Sequence, residues 1–222
     1  MFFTMKKNLL LLFCFVSSFG FSQKYHFDYY FHYDSENHHS KGVEKREKKF
    51  LINSKNHNYE AVFKNVNKKR KILKIISLKD NVEHYFDVKN NNHSMSSENF
   101  TYKYSKKIPD TKKQFEDEFE RRSFTAESVQ NNNNQYSIKE FTKSGRGAIA
   151  VADAKFIKFK DDLSFVGLRL LLDAQDIDRK LKFNENYILK SGTNKFGDTE
   201  VKLSLEAVEP QNFDLIIEKI KF

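Results

Sequence analysis

Tryptophan is absent, proline occurs twice, glycine seven times and cysteine once in the 222 residues. So few breakers leave little to interrupt regular structure. A lone thiol makes no internal disulfide, so stability has to come from packing. There is no Gly-x-Ser-x-Gly, no His-Glu-x-x-His and no glycine-rich loop of the phosphate-cradling kind. Catalytic residues: none are assigned; cofactor-binding residues: none; metal-ligating residues: none; and no cofactor is expected. After the first 22 residues no run is long and apolar enough for a transmembrane helix, which takes about 20 residues.

What the chain does have begins with an address. Lys6 and Lys7 precede the apolar run Leu9 to Val16, and Gly20-Phe21-Ser22 puts small residues at minus three and minus one before Gln23. Charge, apolar run and small-x-small in that order read as a secretory signal peptide over residues 1–22, cleaved near Ser22-Gln23. Cys14 is preceded by Phe13 in the middle of the apolar run, not by a small residue at its end, which argues against lipid attachment. Cleavage would remove this cysteine. It would also lower the formal charge from +9 to +7, because Lys6 and Lys7 go and no acid goes with them. The remaining 200 residues suit a single antiparallel β domain, 23–222, with a sizeable core. Their mild basic excess is spread along the chain, unlike the clustered footprint of a nucleic-acid binder.

Twenty-three Phe and ten Tyr favour pleated, half-buried surfaces. From Lys24 to Asp34 the chain alternates: Tyr25, Phe27, Tyr29, Phe31 and Tyr33 on one face, His26, Asp28, Tyr30, His32 and Asp34 on the other. Period two predicts a strand with one buried face. Val43–Asn53 reads as a strand that starts as a charged edge; further strands are predicted at 57–64, 70–78, 82–88, 100–104, 136–142 and 149–159. Over 111–129 a capping box at Thr111 and Gln114 competes with β-favouring residues, and strand is preferred. Asp161-Asp162 followed by Leu163, Val166, Leu170 and Leu171 predicts one short buried helix at 162–172. Strand 187–191, a loop at 192–198, strand 200–208, a turn at Pro210 to Asn212 and strand 213–222 complete the reading. About a dozen strands with no βαβ rhythm predict a mainly all-β fold, antiparallel, as a curved sheet or half-barrel with one helix.

His26 and His32, with Asp28, Asp34, His38 and His39, are the best metal candidates by residue type. Residues six apart on a strand lie about 20 Å apart at about 3.3 Å per residue, so this spacing points to a solvated face. Carboxylates among Glu116 to Glu120, flanked by Arg121-Arg122, are a charge-balanced stripe. Gly145-Arg146-Gly147 and Lys68 to Lys71 read as turns.

The Met5-Lys-Lys start, the cut before Gln23, the early aromatic strand, the strand ending Leu51-Ile52-Asn53-Ser54 and the closing hairpin resemble uncharacterised exported β-rich proteins of Bacteroidetes. In pattern they are also similar to half-barrel periplasmic carriers, the lipoprotein-carrier family. The resemblance implies a curved sheet with helix cover, in the periplasm or secreted, and brings no catalytic residues. The expectation is therefore a non-enzymatic protein that binds an apolar, lipid-like ligand or an envelope protein partner on its sheet, with Phe27, Phe31, Tyr102, Leu203 and Leu205 facing a core or a cavity. The alternatives are an envelope interaction protein with a filled core, a small outer-membrane barrel or a hydrolase.

Overall fold

The computed structural model describes residues 22–67, 70–77, 79–89, 95–109, 120–130, 134–143, 145, 147–174 and 177–222. The expected signal segment, except Ser22, and the expected capping box at 111–114 lie outside these. The fold is all-β in the main, one open, curved antiparallel sheet of eleven strands. In chain order they are β1 (Gln23–His39), β2 (Gly42–Ile52), β3 (Tyr59–Asn67), β4 (Arg70–Ser77), β5 (Val82–Val88), β6 (Phe100–Lys107), β7 (Arg122–Ser128), β8 (Gln135–Thr142), β9 (Ala148–Lys158), β10 (Tyr187–Phe196) and β11 (Thr199–Ile217). Among the described residues, helices α1 (Ser164–Leu172) and the single turn α2 (Ile177–Lys180), and a 3-10 turn at Ser97–Asn99, accompany them. The spatial order β6-β5-β4-β3-β2-β1-β11-β10-β9-β8-β7 puts the first strand in the middle, paired with the last.

The alternation in β1 does what period two requires: Tyr25, Phe27, Tyr29, Phe31 and Tyr33 are all buried. They divide between two apolar clusters. Tyr29, Phe31 and Tyr33 pack with Phe50, Ile52, Ala152, Phe156, Leu189 and the buried face of α1. Tyr25 and Phe27 pack with Tyr59, Leu73, Ile75, Phe86, Phe100 and Phe213. The division follows from β2 and β3, which pair only at Phe50–Val62 and Leu51–Ala61. Beyond that point the β3–β6 half of the sheet has a core of its own, completed by Leu215 and Ile217 of β11. The tail after β11 runs back over β6, where the Ser105 amide donates to the Lys221 carbonyl at 2.6 Å.

Three expectations are corrected. Residues 192–198 are mostly strand rather than loop: β10 runs on to Phe196 and the turn is Gly197-Asp198. The stretch 200–222 is not two strands, because β11 continues through Pro210. Pro210 sits opposite Tyr29 at a break in register, where Phe27 faces Phe213; a bulge tolerates a residue with no N–H to give. Of the strand preferred over 111–129, Arg122–Ser128 is strand whereas Glu120 and Arg121 are helical, and 111–119 lie outside the described residues.

The expected helix is present, and it packs on the concave face over β9, β10 and β11. Its Phe165, Leu168, Leu171 and Leu172 are buried. Asp162 rather than an N-cap side chain starts it, accepting from the Ser164 amide and hydroxyl at 3.2 and 2.7 Å. Arg122 ends it, with its guanidinium donating to the Leu172 and Asp173 carbonyls at 3.0 and 3.1 Å.

Candidate functional site

The concave face of the sheet outruns α1. Toward the hairpin tips, β1 proceeds from Tyr33 to Ser35 and Asn37, and β2 from Phe50 back to Lys48 and Arg46, while β11 keeps Leu203 and Val201 opposite Ser35 and Asn37. The helix edge, Val166, Arg169 and Leu170, faces these strands across a cavity of about 420 Å³. That volume lies within the range of small-molecule sites, about 300–1,000 Å³. One part of its wall is apolar, made by Phe50, Val166, Leu170, Val201 and Leu203; along β2 the wall becomes cationic.

The charges around it differ in what they already hold. Arg169 is only 9% exposed; its guanidinium donates to Asp178 at 3.1 Å and lies 3.8 Å from Glu60 and 4.7 Å from the centre of the Phe165 ring. His57 donates to the other oxygen of Asp178 at 3.1 Å and lies against Phe165, ring centres 4.0 Å apart. Burial alone would raise the Asp178 pKa, but the His57 hydrogen bond and the Arg169 charge outweigh it and hold the carboxyl down at about 2. At Glu60 burial wins, and its pKa is raised despite Arg169 and Lys74. Arg46 is engaged by Glu44 at 2.6 Å. Lys48 is half-buried and makes no ion pair among the described residues. Glu60 and Asp173 line the same cavity, but neither pairs with Lys48, so this cation at the end of an apolar wall is a place for an anion.

The residues singled out from the sequence separate. Phe31 and Phe27 are fully buried in different clusters, and Tyr102 and Leu205 are half-buried against them; Leu203 alone of the five lines the cavity. His26 and His32 share a face but not a site. His26 donates to Asp214 at 2.9 Å, His38 lies 3.3 Å from Glu36, and Asp28 accepts from the amide and hydroxyl of Ser54. Glu116 to Phe119, Arg146, Lys68 and Lys69 lie outside the described residues. Arg122 finds its partner in Glu140. Lys48, Glu60, Arg169 and Asp178 were not singled out, since nothing in the local sequence joins a strand charge to a helix more than a hundred residues away.

A serine–histidine contact does exist. His84 Nδ1 meets the Ser105 hydroxyl at 2.6 Å and its Nε2 meets the Tyr25 hydroxyl at 2.8 Å. Both His84 and Ser105 are buried, the histidine completely, so no substrate reaches the pair. Burial lowers the imidazole pKa to about 4, and the chain continues through Tyr102, whose hydroxyl accepts from the Lys221 amide at 2.9 Å. This network fastens the tail to β6.

No protein-family model matches the chain, and no curated protein matches it. Among solved structures it is similar to a proposed outer membrane lipoprotein-sorting protein domain from Vibrio parahaemolyticus, with 6% identity over 82% of this chain and 85% of that one and a TM-score of 0.31. It is also similar to a DUF1329 family protein from Desulfovibrio piger, with 9% identity over 89% of each chain and a TM-score of 0.27. At this level the likeness fixes neither ligand nor role.

Proposed function

We propose that this is a non-enzymatic exported protein that holds an amphiphile, apolar along its body and anionic at one end, in the cavity beside α1. One observation carries the reading: along β2 the cavity wall passes from Phe50 to Lys48, which has no ion-pair partner among the described residues, while Leu203 and Val201 keep the facing wall apolar. The acyl body would lie along Phe50, Val166, Leu170 and Leu203, and the anion would meet Lys48. The ligand envisaged is narrower than one spread over the whole concave face, because α1 covers that face over β9, β10 and β11. Export rests on the signal reading of residues 1–22.

The test pairs a medium-chain carboxylate with the alcohol of equal length, in thermal unfolding and native mass spectrometry. At a ligand concentration about 100 times the dissociation constant the carboxylate should stabilise the fold by about 2.7 kcal/mol. Leu170→Trp, which fills the cavity, should abolish the effect of both compounds. Lys48→Glu should weaken the carboxylate and spare the alcohol. Bare protein and no shift with either compound would sink the reading.

A second reading, an envelope interaction protein with a filled core, is favoured by the fit of α1. A Cβ on Gly167 would lie 2.5 Å from the Leu189 Cβ, so the helix is seated as a permanent part of the interior. A failed ligand test would put this reading first.

A further inference from the structure

On the face of β1 and β2 opposite the cavity, His32, Asp34 and Glu47 bring their ligand atoms within 4.8 Å of one another. Two come from alternate positions of one strand, and the third stands directly across from Asp34 on the next. We infer that this cross-strand cluster is a binding site for a divalent transition-metal ion of the zinc type. The inference does not depend on the cavity or its ligand.

Three features of the cluster support it. The His32 Nε2 atom is closed to solvent and has no hydrogen-bond partner among the described residues, and a buried polar atom left so is costly. It lies 3.4 Å from Asp34 Oδ1. That is long for a hydrogen bond, yet two ligands each about 2.0–2.1 Å from a tetrahedral ion stand about 3.4 Å apart. Asp34 and Glu47 also face each other as like charges, which destabilises a sheet unless something positive lies between. Lys49 answers part of that need by pairing with Glu47 at 2.6 Å. It would have to swing away for Glu47 to bind, and as a side chain on the solvated face it has room to do so. One imidazole and two carboxylates suit zinc better than calcium or magnesium, which favour oxygen alone. With Asp34 and Glu47 55% and 58% exposed, water completes the shell.

The experiment is isothermal titration of the purified protein with zinc chloride in a non-coordinating buffer, with calcium chloride as the comparison. One zinc per chain and no calcium binding are expected. Altering a residue that merely supports a metal ligand typically costs about 10–100-fold in affinity, so His32→Gln and Asp34→Asn should each weaken zinc at least tenfold. His26→Gln and His38→Gln should leave it unchanged. Lys49→Gln should tighten zinc severalfold by releasing Glu47, a gain that mere loss of folding could not produce. As a readout independent of mutation, zinc should shift the ring 15N resonance of His32 Nε2. Wild-type affinity in His32→Gln, an unmoved His32 resonance, or weakened binding in Lys49→Gln would overturn the site.

Discussion

The Tyr33 hydroxyl donates to the carbonyl of Leu189 at 2.9 Å, inside the core, and Gly167 of α1 lies over the pair. Leu189 comes just before the break in the β9–β10 register, so the tyrosine lies beside an irregular stretch of the ladder. A Cβ on Gly167 would stand 2.5 Å from the Leu189 Cβ and 2.9 Å from the Tyr33 hydroxyl.

Gly167→Ala therefore tests packing against propensity. Alanine improves the helix by about 1 kcal/mol, whereas overpacking a filled core costs about 1–3 kcal/mol. With two close contacts on rigid neighbours the second effect should win. Denaturant unfolding should show a loss of stability; an increase would mean that α1 is more loosely seated than its contacts show. Tyr33→Phe, which orphans the Leu189 carbonyl, should cost about 1–3 kcal/mol.

His84 makes stability sensitive to acid. Its folded pKa, about 4, lies below the ordinary 6.5, so the unfolded chain binds the proton more readily. The contribution is intact above pH 6.5 and is lost as pH falls toward 4, by roughly 3 kcal/mol. Asp178, held at about 2 against an ordinary 3.8, adds a second loss in a lower window, from pH 3.8 down toward 2. Unfolding free energies measured from pH 7 to 4 should fall in the wild type and flatten in His84→Gln. Because His84 is linked through Ser105 and Tyr102 to Lys221, amides of the tail should lose hydrogen-exchange protection first.

Arg122 serves two masters. It pairs with Glu140, which is 4% exposed, and it satisfies the last carbonyls of α1. Arg122→Ala would leave a buried carboxylate alone, a change that costs about 3–5 kcal/mol for fully buried pairs. The arginine is a quarter exposed, so a loss nearer 3 kcal/mol is expected. Adding Glu140→Gln to Arg122→Ala should restore part of it; no recovery would place the main role of Arg122 at the helix end.

Much of this fold was legible where one face is buried and the other wet. The rows Tyr25 to Tyr33 and Ala150 to Phe156 alternate in sequence and in burial alike. What misled were residues whose usual meaning was overridden by a neighbour. Gly192 reads as a loop, yet it is in β10, with Leu171 of α1 reaching to within 2.5 Å of where its Cβ would be. Pro210 reads as a turn, yet a bulge carries it. The cavity was less legible still: Lys48 looks like any other lysine in Glu44 to Lys49 until the concave face is assembled around it. His32 and Asp34 were visible as a pair, but their third member is supplied by strand register, which local sequence does not state.

The pairing of β1 with β11 joins Gln23 to Ile217. The earliest strand to be synthesised thus waits for the last one before the middle of the sheet can close. Contacts so distant along the chain slow folding. A fold whose central seam is sewn between β1 and β11 cannot close that seam before residue 217 has been made.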